Sequence, residues 1–176
     1  MKNNSLDIRI VADTQEDIFA DLRIHKENNF LTIHDFLVEN FHLDKLEMYS
    51  FFYSNDDWDK GEEITLMNMN IGEDQSIKFM ESISIDEVFQ EKKFKFLYVN
   101  DFLNMNIFYV EILKESYLEK EESLKLLHKL GEYQAKKSDN ILIMEDENKL
   151  SEIEDILNEP EEDEFGGFEE LDQDLY

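Results

Sequence analysis

Leu6-Asp7-Ile8-Arg9-Ile10-Val11-Ala12, followed by Ile18-Phe19-Ala20-Asp21-Leu22-Arg23-Ile24-His25, is the stretch that decides the fold. In the first run Leu6, Ile8, Ile10 and Ala12 share one face, with Asp7, Arg9 and Val11 on the other. In the second run Ile18, Ala20, Leu22 and Ile24 alternate against Phe19, Asp21, Arg23 and His25. A period of two marks a half-buried strand, because successive side chains point to opposite faces of a sheet. The polar Asp13-Thr14-Gln15-Glu16 between the runs reads as a turn. The two strands are therefore expected to pair antiparallel as a hairpin.

Outward from this hairpin, Lys26 to Phe30 is a polar connection. Thr32 has the chemistry of a helix N-cap, with Asp35 adding negative charge in the first turn. Ile33, Phe36, Leu37 and Phe41 keep helical spacing, and His42-Leu43-Asp44 ends the helix; His34 is expected on its exposed face. Residues 46–53 read as an aromatic strand. Asn55-Asp56-Asp57-Trp58-Asp59-Lys60-Gly61 reads as a polar loop carrying the only tryptophan. Ser84 with Glu87 spells a capping box, and Ile85, Val88 and Phe89 form the apolar side of the short helix it starts. Residues 94–99 and 106–113 are two further strands, joined by Asn100-Asp101-Phe102-Leu103-Asn104-Met105. This order predicts an α+β domain: one mainly antiparallel sheet with a helix across one face, roll-like or β-grasp-like, with the strand order left open.

The chain divides by composition. Of its 176 residues, 44 are acidic and 17 basic, a net charge of -27. Residues 139–176 contain sixteen acids and one base, Lys149, for -15, leaving -12 on the other 138 residues. The reading is an α+β domain over 1–115, a connecting segment over 116–138 and an acidic, flexible tail over 139–176. Leu124, Leu127 and Leu130 give the connecting segment a helical reading, against which Gly131 argues. In the tail, Ser151 and Glu154 form a second capping box, Ile153, Ile156 and Leu157 an apolar stripe and Pro160 a stop, so a short helix is expected near 151–158.

These numbers exclude several functions. Zero cysteines remove disulfides, thiolate metal sites and thiol catalysis. The charge repels nucleic-acid phosphates and has the wrong sign for a basic membrane-surface helix. The N-terminus lacks an apolar signal core and no apolar run reaches the ~20 residues of a membrane span, so a cytoplasmic protein is the expectation. The acidic loop 55–63 fails as an EF-hand, because its sixth and twelfth positions, counted from Asn55, hold Lys60 and Leu66 instead of glycine and glutamate. His25, His34, His42 and His128 show no shared metal-ligand spacing. Phosphate-binding glycine motifs and a nucleophile elbow are absent. No cofactor, metal or catalytic residue is assigned. Asp101, flanked by apolar residues between two strands, is the least ordinary carboxylate; its plainer reading is a turn cap.

Three segments together resemble the plasmid pRiA4b ORF-3-like family, whose members are also labelled insertion-element passenger proteins. They are Leu6 to Asn40; His42 to Phe52 with Asp57-Trp58-Asp59-Lys60-Gly61-Glu62-Glu63-Ile64, similar to the family's strand and W-x-K-G-x-E-I loop; and Phe96-Leu97-Tyr98-Val99-Asn100-Asp101-Phe102, similar to its Y-x-Y-D-F-G-D-x-W-x-H stretch. The resemblance spans roughly residues 5–114. This chain departs from it after Phe102, where Leu103-Asn104-Met105-Asn106-Ile107-Phe108 replaces the family's Gly-Asp, Trp and His. With the acidic tail, this variant pattern looks like a divergent, bacterial branch of that family. The resemblance implies an α+β roll without an established activity, and the family's names point toward mobile elements.

The functional expectation is a non-enzymatic interaction module. Acids interleaved with Phe165, Phe168, Leu171, Leu175 and Tyr176 suit a segment that folds onto a basic, apolar groove of a protein partner. Trp58 and Asp101 are the interaction candidates in the body. The alternatives are mimicry of nucleic acid and an enzyme of unknown reaction centred on Asp101 and the aspartates near Trp58.

Overall fold

The period-two runs form the strands they predict. In the computed structural model, which describes residues 3–66, 77–119 and 121–136, β1 (Ser5–Ala12) and β2 (Phe19–His25) pair antiparallel, with Ile8 opposite Leu22 and Arg9 opposite Asp21. The chain then builds α1 (Phe30–Asn40), β3 (Tyr49–Ser54), β4 (Lys60–Thr65), β5 (Lys78–Phe79), α2 (Ile85–Gln90), β6 (Lys95–Asn100), β7 (Asn106–Ser116) and β8 (Leu124–Leu130). The eight strands make one sheet in the order β5-β4-β3-β6-β7-β1-β2-β8. Every neighbouring pair is antiparallel except β4 and β5, which are parallel. All described residues belong to one unit, Met1–Ser138.

This architecture corrects the expected α+β roll. The unit is sheet-dominated and its sheet is mixed, with two short helices of 11 and 6 residues. Three strands account for the difference. β4 occupies residues read as loop and irregular chain; four of its six residues are solvent-exposed, so it carries no alternating apolar signal. β5 has only two residues. β8 lies where the connecting segment was given a helical reading. It is an edge strand paired only with β2 among the described residues, and most of its side chains meet solvent. Pairing to β2 decided its conformation, since its leucines at 124, 126, 127 and 130 fit neither period cleanly.

Both helices bury their apolar residues in the core on one face of the sheet. Phe30, Ile33, Phe36 and Leu37 of α1 pack with Leu6, Ile8, Ile10, Leu22, Ile24, Phe51, Phe96, Tyr98, Phe108 and Val110. Phe30 meets both Phe51 and Phe96 edge-on, at ring separations of 5.0 and 4.9 Å. Burying each such side chain stabilises the fold by about 1.5–3 kcal/mol. The N-cap of α1 is Asn29 rather than Thr32: its side chain accepts from the Thr32 N–H at 3.3 Å, starting the helix three residues earlier than expected. His34 is buried, not exposed, because the helix faces Tyr49 and Tyr98 as well as the aliphatic core. Ser84 caps α2, its hydroxyl accepting from the Asp86 N–H. The expected helix at 151–158 lies outside the described residues.

The opposite face of the sheet carries no helix among the described residues. Across β1 and β2 it is a charge ladder. Asp7 accepts two hydrogen bonds from Arg23 and one from Ser116, while Arg9 grips both carboxylate oxygens of Asp21. Burial acts to raise the Asp7 carboxyl, but these bonds with the nearby charges of Arg23 and Lys114 hold it below its ordinary value.

Candidate functional site

Across β3, β6 and β7 the same face changes character. Phe52, Leu97 and Val99 are buried there, with Trp58, Phe102, Ile107 and Tyr109 half-buried around them. The pleat explains the set: Phe51, Phe96, Tyr98 and Phe108 point into the core, so their strand neighbours point outward. The result is an aromatic platform.

Trp58 is fixed to it by the loop before β4. The Asn55 side chain accepts from the N–H groups of Asp57 at 3.0 Å and Asp59 at 2.9 Å, and donates to an Asp59 carboxylate oxygen at 2.8 Å. The Ser54 hydroxyl donates to the Asp59 carbonyl. These bonds hold Trp58 at φ 63°, a left-handed conformation that costs a bulky residue of order 1 kcal/mol or more. In return the indole stands edge-on to Tyr109, ring centres 5.0 Å apart. Lys95 lies 5.0 Å from the Trp58 ring and Lys60 4.0 Å from the Phe52 ring, both at cation–π distance. The carboxylates of Asp56, Asp57, Asp59, Glu63 and Glu111 surround this surface: the first three share the Trp58 loop, Glu63 stands opposite Phe52 and Glu111 opposite Lys95. With Arg9 opposite Glu111 on β1, the five carboxylates face three cations, Arg9, Lys60 and Lys95.

Asp101 takes no part in the platform. It lines a separate pocket of about 220 Å³ at the end of the β6–β7 hairpin, with Phe41, Asp44, Asn100, Asn106 and Tyr133. Asp101 is at φ 49°, and its carboxylate accepts from the Asn104 N–H at 3.2 Å and from the Asn104 side-chain amide. These bonds make it a cap of its own turn. His42, at φ 54°, also lines the pocket.

Sequence reasoning passed over the two asparagines that shape this pocket, Asn100 and Asn106, which face each other across the hairpin. Both are almost wholly buried. The Asn106 side chain copies a strand edge: its oxygen accepts from the Lys136 N–H at 2.7 Å and from the Tyr133 hydroxyl at 2.9 Å, and its nitrogen donates to the Lys136 carbonyl. Asn100 is 3 % exposed, and its side-chain oxygen has no hydrogen-bond partner. A buried acceptor in that condition costs about 1–3 kcal/mol. The signal in the sequence was the pair itself, two amides flanking a six-residue turn, which reads equally well as ordinary turn chemistry. The nearby phenols report the local field. Burial raises Tyr49, a hydrogen bond with the Asn100 side chain acts against the rise, and Asp44 and Glu47 add to it. Burial likewise pushes Tyr133 up to about 12, with Asp101 and Asp13 contributing.

Trp58 and Asp101 therefore lie in two different settings, platform and pocket. Phe165, Phe168, Leu171, Leu175 and Tyr176 lie outside the described residues. Among the described residues no group of three or more His, Asp or Glu side chains is placed to hold a metal ion, and no helix is long and apolar enough to cross a membrane.

Comparison with solved structures finds a similar fold in the crystal structure of a protein of unknown function, MM3350 from Methanosarcina mazei Go1. The TM-score is 0.59 at 13 % identity, covering 71 % of this chain and 68 % of that one. No curated protein matches the chain. The family model for plasmid pRiA4b ORF-3-like proteins matches residues 4–171, which takes in β8 as well as the segments that carried the resemblance. The chain belongs to the plasmid pRiA4b ORF-3-like family.

Proposed function

We propose that this protein is a non-enzymatic interaction module whose partner is a protein segment rich in arginine and lysine. One observation carries the reading: an aromatic platform, rimmed by carboxylates, on a sheet face that no helix covers among the described residues, with Trp58 locked into it by a strained turn. Lys60 and Lys95 already lie over Phe52 and Trp58, so a partner's cationic heads would pair with the rim carboxylates while their alkyl stems lie along Phe102, Ile107 and Tyr109. The net charge of -27 steers such a partner from a distance, and the acids and aromatics after residue 160 extend the same chemistry. A non-enzymatic role is supported by Asp101, the leading carboxylate candidate for chemistry, whose oxygens are engaged by its own turn.

Trp58 is the only tryptophan, so its emission reports on the platform directly. Titration with an octa-arginine peptide is expected to give a saturable emission change at low salt that disappears at high salt, with octa-aspartate inert. Replacing Asp56, Asp57 and Asp59 together by Asn should weaken the binding by about tenfold, as three exposed carboxylates at ~0.5 kcal/mol each imply. Emission indifferent to octa-arginine would refute the reading.

A further inference from the structure

We propose that the basic segment docking on the platform carries bulky apolar side chains beside its cations, and that a second pocket on the same sheet face, lined by Met48, Ser50, Glu63, Leu66, Ile77 and Phe79, takes them. The inference rests on the reading of the platform as the site of a basic partner, and adds what that partner's sequence must contain.

Pocket and platform are continuous. Ser50 stands two residues before Phe52 on β3, so both side chains point to the same face. Across the strands, Val99 of the platform pairs with Ser50, and Glu63 of the pocket pairs with Phe52. The Ser50 hydroxyl donates to a Glu63 carboxylate oxygen at 2.5 Å, which holds this acid at the junction of the two surfaces. At ~3.3 Å per residue they lie about 7 Å apart along β3, within reach of one short segment. The pocket differs from the platform in character. Its volume of about 500 Å³ falls within the ~300–1,000 Å³ of pockets that enclose an apolar ligand. Leu46 at its rim is 94 % exposed, and Met48 and Ile77 are 66 % and 48 % exposed, so an apolar occupant removes all three from water. Charge selects the occupant. Lys45 is the one lysine in the lining, against Glu47 and Glu63, which suits a cationic segment and disfavours an anionic one. A second copy of this chain, at a net charge of -27, meets like charge there.

The test measures, by calorimetry on the full chain at low salt, the affinity of three peptides: octa-arginine preceded by two leucines, octa-arginine preceded by two serines, and octa-serine preceded by two leucines. The leucine–arginine peptide is expected to bind at least about tenfold tighter than the serine–arginine peptide, because the two differ only in apolar side chains. The octa-serine peptide should bind more weakly than either. Met48→Ser combined with Ile77→Ser should erase the difference between the arginine peptides and leave the serine–arginine peptide unaffected. Should that variant fail to fold, nitrogen-15 resonances of the parent decide. Shifts at Ser50, Glu63 and Thr65 with the leucine–arginine peptide alone uphold the pocket, and the same shifts with both overturn it. Equal affinity of the two arginine peptides overturns the inference and leaves the basic partner standing. A serine–arginine peptide that does not bind removes the basic-partner reading itself, and the inference with it. Octa-serine bound as tightly as the leucine–arginine peptide assigns the pocket to uncharged apolar ligands, and self-association abolished by the paired substitution assigns it to a second copy; either result overturns the proposal.

Discussion

His34 and Tyr98 meet inside the core, the imidazole Nδ1 2.8 Å from the phenol oxygen. Burial pushes the imidazole below its ordinary value of 6.5, with Asp35 acting weakly against it, and burial pushes the Tyr98 phenol far up. Because the folded state holds the histidine proton less tightly than the unfolded state, the unfolded state gains protons first as pH falls below 6.5. The stability that His34 contributes is therefore present above that pH and lost as pH drops toward the folded value. Urea unfolding of the parent is expected to show stability falling from about pH 7 to about pH 5, and His34→Gln should flatten that slope. An unchanged slope would place His34 outside the acid response. Asp7, also held below its ordinary value, acts in a separate and lower window, losing its contribution as pH falls below 3.8. Single residues were the least legible part of the sequence. Trp58 stood out because it is unique, and Asp101 because apolar residues flank it. His34 read as exposed because what buries it, Tyr98, lies 64 positions away. Asn55 and Asn100 looked like ordinary turn residues, since only the fold shows that one shapes a strained loop and the other buries an unpartnered oxygen.

Elements were legible in proportion to how much of their surface they bury. β1 and β2 set one apolar face against the core, so their period of two is visible in the letters, while β6 shows as an unbroken apolar run because both its faces are covered. β4 and β8 sit toward the ends of the sheet with most side chains in solvent, and there pairing with a neighbour outweighs any local pattern. Gly131 was read as an interruption, and it is one, but of a strand. It follows β8 at φ 76°, and a Cβ there would stand 2.9 Å from the Ile18 side chain and 3.1 Å from the Asp17 carbonyl. Gly131→Ala is expected to lower unfolding stability by about 1–3 kcal/mol, read as a lower denaturation midpoint at unchanged slope. A helical segment at 124–130, unlike β8, would show no such dependence on the approach to Ile18.

At the scale of the whole molecule, the net charge of -27 is the property with the longest reach. It argues against phosphate backbones as partners and for cationic ones. In the proposed reading the platform is where such a partner would dock, a place composition could not reveal, because Phe52, Trp58, Phe102 and Tyr109 come together only through the pleat of three strands and one loop. The family was legible in short motifs, and the match over residues 4–171 extends it beyond them. The α+β class was misread for the reason that hid β4 and β8. The most direct test of the basic-partner account is amide hydrogen exchange of the full chain with and without octa-arginine at low salt. The account predicts slower exchange in the Trp58 loop and along the outer edges of the platform in β3, β6 and β7. Protection confined to residues 139–176, or no protection anywhere, would contradict it.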